Sequence, residues 1–251
     1  MTRYAAEISY DGSCFSGWQK QPERSSVQQA LEEAASLLNG SFVPVAGAGR
    51  TDAGVHAKGQ VCSFELAREW DARQLTLAMN SKLPEGVSVM KVAAVAPDFH
   101  ARYSALRREY RYFIWNSGTI YPHLKGRVYW LKGGSHNWNS ASSAAEYLLG
   151  THDFHNFCKQ ESCGPSTIRT ITNISLRRKK ELVVLKVEGD GFLHNMVRII
   201  LGNLELAALG KIKPEQMKEL LSRENTRGTG GRTFPPCGLY LWKITYSGKL
   251  W

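Results

Sequence analysis

Residues 47–57 read GAGRTDAGVHA, and the fold turns on how this stretch is taken. Its glycines permit a sharp loop, and the extended run from Val61 to Leu66 follows it, so the loop presents its side chains at the mouth of a strand. Dinucleotide binding would need a third glycine where Asp52 stands, and a carboxylate there repels a pyrophosphate. A phosphate loop would need Gly, Lys and Ser or Thr in succession, which the chain never supplies. The remaining functional reading takes Arg50 and Asp52 as a working pair. An aspartate near a cation stays ionised at neutral pH and can act as nucleophile or base. The same pattern suits an aspartate that only caps the loop by accepting backbone amides, and these residues alone leave both readings standing.

Upstream, residues 3–9 predict a strand and Asp11-Gly12 a turn. In SVQQALEEAASLLNG, Val27, Ala30, Leu31, Ala34 and Leu38 then keep one helical face. Ser25 with Gln28, or Ser26 with Gln29, has capping-box spacing, and Gly40 stands where a left-handed cap ends a helix. Downstream the pattern predicts a helix near 71–80 and a strand from Val87 to Val95. In REYRYFIW, Tyr110, Tyr112 and Ile114 share one strand face, opposite Glu109, Arg111, Phe113 and Trp115. Residues 133–143, rich in Gly, Ser and Asn, predict a linker or surface loop before a short helix closing at Gly150, and offer the best internal boundary. IRTITNISL and ELVVLKVEG read as a hairpin with Arg177, Arg178, Lys179 and Lys180 at its tip. A largely apolar helix from Phe192 to Leu209, a loop from Arg223 to Gly238 and a closing strand GLYLWKITY complete the chain. Irregular alternation with hairpins predicts an α+β architecture with antiparallel pairing rather than a doubly wound parallel sheet.

The chain has 251 residues, enough for one large domain or two small ones. Lys and Arg number 32 against 22 Asp and Glu, a formal charge of +10, which favours a polyanionic partner such as nucleic acid, although a basic enzyme surface gives the same balance. The amino terminus lacks the apolar core of a signal peptide, and no stretch approaches the ~20 apolar residues of a membrane span. A soluble, cytoplasmic protein is expected, without membrane attachment. Five scattered cysteines fit a reducing cytosol. His152, His155, Cys158 and Cys163 are zinc-ligating types, but their spacing is unlike the usual two-Cys knuckles. A zinc nucleobase deaminase is disfavoured, since neither an HxE nor a PCxxC segment is present.

GRTDAGVHA is similar to the signature of the tRNA pseudouridine synthase A family. Further segments resemble that family in order and spacing: SYDGSCFSGWQKQP, VQQALEEA, FHARYSALRREYRYFIW, GTHDFHNFC, GDGFLHNMVRIILG and PPCGLYLWKITY. The resemblance spans essentially the whole chain. Departures are small: YDGS where members often read YDGT, ERSSVQ where they read QRTVQ, and NTRGTGGRTF before the last strand.

The resemblance implies two related ferredoxin-like halves sharing an extended, mostly antiparallel sheet, with the active site in a central cleft. The halves would be 1–105, with the catalytic loop, and 106–251, with the base-packing strand and a basic helix. It implies an isomerase that converts uridine to pseudouridine at positions 38, 39 and 40 of the tRNA anticodon stem-loop, works as a homodimer and uses neither cofactor nor metal. Asp52 is then the catalytic residue, and Tyr110 packs on the target base. Arg50 holds the RNA backbone or the vacated base position. Arg198, a charge on an otherwise apolar helix, needs an acidic partner, and the family pattern makes that partner Asp52. Arg102, Arg107, Arg108, Arg111 and the tip from Arg177 to Lys180 are candidates for phosphate contacts, with solvated surface charge as the alternative.

The chemistry suits these residues. The reaction breaks the bond from ribose C1′ to uracil N1, turns the ring and joins C5 to C1′. A carboxylate at the sugar can trap or stabilise cationic character, as in glycosidases, or remove a sugar proton. Two rivals stay open. One is a paralogous synthase acting on other RNA positions. The other is a catalytically silent tRNA-binding protein, against which the joint presence of Asp52, Arg50 and Tyr110 argues.

Overall fold

The computed structural model describes residues 1–159, 165–222 and 231–251. The chain forms two compact units, Met1–Arg108 with Tyr240–Trp251, and Glu109–Leu239. A division in strict chain order at 105/106 differs from this chiefly at the carboxyl end, which returns to the first unit. The return is held by backbone pairing: Tyr240 and Leu241 pair in parallel with His56 and Ala57, and Leu106 N–H donates to Thr245 O at 2.8 Å.

In the first unit the order is β1 (Thr2–Tyr10), α1 (Val27–Asn39), β2 (Ala46–Gly47), β3 (His56–Leu66), α2 (Ala72–Asn80) and β4 (Val87–Ala94), with β10 (Leu239–Thr245) closing the chain. Strands β4, β1 and β3 neighbour one another antiparallel, and β2 pairs antiparallel with β3. This is the split βαβ arrangement of a ferredoxin-like half. Helix α1 forms where its apolar face and both caps coincide. Val27, Ala30, Leu31, Ala34 and Ala35 are buried, Ser26 Oγ accepts from Gln29 N–H, and Gly40 takes φ 75. Asp71 caps α2 by accepting from Arg73 and Gln74.

The second unit carries β5 (Arg107–Asn116), β6 (Tyr129–Leu131), α3 (Trp138–Glu146), β7 (Gly150–Asp153), β8 (Ile168–Lys179), β9 (Leu182–Gly189) and α4 (Met196–Ala208). Its strands run in the order β5-β9-β8-β7, and β6 pairs in parallel with β5. The pairing of β7 with β8 and of β8 with β9 is antiparallel. The class is therefore α+β with mostly antiparallel pairing. Tyr110, Tyr112 and Ile114 do share a buried face of β5.

Two local expectations are corrected. The surface loop expected over 133–143 gives way to α3 from Trp138, because Asn137 caps it by accepting from Ser140 and because Trp138, Ala141, Ala144 and Ala145 form a buried stripe. The helix expected from Phe192 starts only at Met196, since Asn195 holds φ 62, which interrupts a right-handed helix. The 223–238 loop lies partly outside the described residues.

Candidate active site

The Asp52 loop joins β2 to β3, and its backbone is held from several sides. Thr51 is buried; its carbonyl accepts from Trp18 N–H at 3.0 Å, and its hydroxyl lies 2.7 Å from Tyr10 Oη. Val55 N–H donates to Asp52 O at 3.1 Å, closing a turn in which Gly54 takes φ 78. Below the loop, Ala48 N–H donates to Val61 O at 2.8 Å. The fully buried Gln60 donates from Nε2 to Gly49 O at 2.7 Å. His56, also buried, has Nδ1 within 3.1 Å of Gly12 N–H and 3.2 Å of the Asp11 carboxylate. Its ring stacks on Tyr240 with centroids 4.6 Å apart.

Glycines make this clamp possible. A Cβ on Gly12 would stand 2.2 Å from Val55 O, and one on Gly17, at φ 105, would stand 2.8 Å from Thr51 O. One on Gly47 would meet the Trp18 indole at 2.4 Å. The segment from Tyr10 to Trp18 thus acts as a brace for the loop, while Asp52 is half exposed and Arg50 exposed. A carboxylate on an immobilised backbone with an accessible side chain is held in a defined position where a ligand can reach it. From the sequence alone, the segment from Tyr10 to Trp18 resembles only a strand and a turn. Its only signal of a further role was YDGS and SGW inside the resembling segment.

In the second unit Tyr110, on β5, is buried and meets Phe192 edge-on at 5.2 Å. Arg198 leaves the first turn of α4 half-buried. Its Nε donates to Phe234 O, and its guanidinium donates to Asn195 Oδ1 at 2.6 Å. Such oxygens offset part of the desolvation of a guanidinium. Phe234 is fully buried between Tyr112 and Tyr129, both edge-on, and Tyr112 Oη donates to Pro235 O at 2.6 Å. Burial pushes the Tyr112 phenol well above its ordinary range. Residues 231–235 are fastened along α4. Arg232 binds Glu205 through two bonds at 2.8 and 2.6 Å. Buried Asn203 accepts Gly231 N–H at 3.2 Å, and a Cβ on Gly202 would collide with Arg232 O at 1.8 Å. This Arg232–Glu205 anchor had no signal in the sequence.

The basic residues fall into two groups. Arg102, Arg107, Arg177, Arg178, Lys179 and Lys180 are exposed. Arg108 is half-buried and donates to the carbonyls of Ala48 at 3.2 Å, Arg102 at 2.6 Å and Ala105 at 3.1 Å. Arg111 pairs with buried Glu109 at 2.7 Å, beside Lys186 at 3.4 Å. Among the described residues no group of three or more His, Cys, Asp or Glu is placed to hold a metal ion; Cys163 lies outside them. No helix among them is long and apolar enough to cross a membrane.

A family model described as tRNA pseudouridine synthase matches residues 6–104 and 144–247. A protein of Acetivibrio thermocellus called tRNA pseudouridine synthase A is 41% identical over 242 residues, covering 95% of this chain and 97% of its own. Proteins of the same name from Thermoanaerobacter sp. (strain X514) and Bacillus subtilis (strain 168) are each 40% identical, with 95% and 97% of this chain covered and 97% and 99% of theirs. A chain in a crystal structure of a Cbf5-Nop10-Gar1 complex aligns at 9% identity and a TM-score of 0.33 over 81% of this chain and 54% of that one, a likeness that carries no argument.

Proposed function

The chain belongs to the tRNA pseudouridine synthase family, and on that premise we propose that it isomerises uridine to pseudouridine at positions 38, 39 and 40 of the tRNA anticodon stem-loop. Asp52 is the catalytic residue of this reading. The observation that carries it is the braced loop: Thr51 and Val55 are buried and fastened on either side of a half-exposed carboxylate.

The product is an isomer of the substrate, so no electrons are gained or lost and no redox group is required. Asp52 acts at the ribose of an extruded nucleotide, either by bonding to C1′ as the bond to N1 breaks or by taking a sugar proton. Extrusion costs stacking on the order of a few kcal/mol. Tyr110 restores part of it by packing on the freed ring, Arg50 holds the backbone or the vacated base position, and Arg198 pairs with the Asp52 carboxylate. Arg102, Arg107, Arg111 and the tip from Arg177 to Lys180 meet phosphates without reading bases. Arg108, also read as a phosphate contact, serves in addition to position the catalytic loop through Ala48 O. The working form is a cytoplasmic homodimer in which one subunit holds the tRNA body while the other receives the target.

The decisive experiment is Asp52→Asn assayed by tritium release from tRNA carrying 5-tritiated uridine. Turnover should fall by at least about a thousandfold, with the dissociation constant for tRNA changed only a few-fold. Turnover at the parent rate would remove Asp52 and the reading with it. Pseudouridine mapping in tRNA from cells lacking the gene should show loss at 38, 39 and 40. Loss at other positions would move the assignment to a paralogous specificity.

A further inference from the structure

Tyr103 is 77% exposed, in a turn whose backbone is fastened on almost every side. Phe99 N–H donates to Ala96 O at 3.0 Å, and Ser104 N–H donates to His100 O at 2.9 Å. The first unit then supplies side chains to the remaining groups. Arg3 donates to Phe99 O at 2.8 Å, Ser63 Oγ accepts Ala101 N–H at 3.1 Å, and Tyr246 Oη donates to Ala101 O at 2.7 Å. Arg108 donates to Arg102 O at 2.6 Å. His100 Nδ1 accepts the amides of Arg102 at 3.1 Å and Tyr103 at 3.4 Å. Ala101, at the centre, has no exposed surface.

This fixed turn holds an aromatic ring out to water. The ring is backed on one side by the His100 imidazole, with centroids 4.4 Å apart, and the Arg102 guanidinium lies 5.8 Å from its centre. Arg102 is itself exposed. An exposed ring on a fixed turn with a cation beside it is a stacking surface for a nucleobase: the ring loses little conformational freedom on binding and the cation takes an adjoining phosphate. Bases inside a duplex are already stacked, so the occupant is an unpaired one.

We propose that Tyr103, on its His100-backed turn, is a stacking platform for one unpaired base of the RNA substrate, with Arg102 on the neighbouring phosphate. Arg108 sets the platform in register with the catalytic loop, since its Nη2 donates both to Arg102 O and, at 3.2 Å, to Ala48 O. This inference rests on the reading that the substrate is tRNA.

Filter-binding of a tRNA transcript to Tyr103→Ala, Tyr103→Trp and Arg102→Gln tests it. Tyr103→Ala should bind about tenfold more weakly with an unchanged salt dependence, because stacking releases no counterions. Tyr103→Trp should bind within about twofold of the parent. Arg102→Gln should lower the slope of log affinity against log salt by about one phosphate's share, roughly 0.7 to 0.9. An alanine variant that binds like the parent, or a tryptophan variant as weak as alanine, would overturn the platform. Binding is read without turnover. A parent that binds tRNA but makes no pseudouridine removes the proposed activity and leaves this test valid, whereas an active parent with an indifferent alanine variant removes the platform alone.

Discussion

The Asp52 loop and the β8–β9 tip both offer charge to the outside, and they are built in opposite ways. At the loop, Thr51, Val55, His56 and Gln60 are buried around one half-exposed carboxylate. At the tip, Arg177, Arg178, Lys179 and Lys180 are all exposed, on a turn in which Lys180 takes φ 54. The contrast matches what the proposed function asks of each charge. Chemistry at the ribose, whether attack or proton removal, demands a fixed approach, and a misplacement of about 1 Å costs roughly a hundredfold. Attraction to a polyanion needs only mobile cations near phosphates, where the gain comes from released counterions.

The contrast breaks most visibly if the brace is loosened. Gly12→Ala places a Cβ 2.2 Å from Val55 O, and Gly17→Ala adds strain at φ 105 as well as a 2.8 Å approach to Thr51 O. Each should lower kcat/KM by about a hundredfold and stability by about 1–3 kcal/mol, read by tritium release and thermal melting. Gly118→Ala, with nothing within 4 Å of the added atom, is the control and should match the parent. Folded Gly12→Ala and Gly17→Ala proteins with parental kcat/KM would show that the loop needs no brace.

A smaller effect belongs to the tip. Replacing Arg177, Arg178, Lys179 and Lys180 with Gln should leave kcat at saturating tRNA nearly unchanged. It should weaken binding by about tenfold or more at physiological salt and reduce the salt slope by about 3. The slope is the discriminating quantity, because a structural defect at an exposed turn would not flatten it. A slope equal to the parent's would make these four residues ordinary surface charge.

What was legible in the sequence divides along similar lines. Helix α1 was readable because its signals are local: the apolar face from Val27, the Ser26 cap and Gly40 all lie within 15 residues. The Asp52 loop was readable as a pattern of Gly, Arg and Asp. Its brace was not, since Tyr10 meets Thr51 across 41 residues and Arg108 meets Ala48 across 60. The same applies to Glu205 and Arg232, 27 residues apart. Side-chain bonds over such separations leave no periodicity. The start of helix α3 is hidden for a subtler reason: Asn and Ser count toward a loop in a composition window, whereas Asn137 here caps a helix whose buried stripe begins at Trp138.

The smallest expected effect asks whether the ground beneath the loop is dry. Cys62 has no exposed surface and lies in β3, paired with Ala6 of β1 on one side and Gly47 of β2 on the other. Burial pushes its thiol up from 9.0 to about 12. Above pH 9 the unfolded chain sheds this proton while the folded chain keeps it. The unfolded state then binds fewer protons, and stability falls with rising pH until the folded thiol itself ionises. Between pH 9 and 10 the loss from this one group should be about 1 kcal/mol. Burial raises Tyr112 and Tyr246 in the same direction, so the thiol's share is isolated by subtracting the pH profile of Cys62→Ala, measured by urea unfolding. Profiles that run parallel from pH 8 to 10 would mean that water reaches β3 where it pairs with Gly47 at the start of the loop, and the rigidity assigned to the loop would then rest on the Tyr10 to Trp18 brace alone.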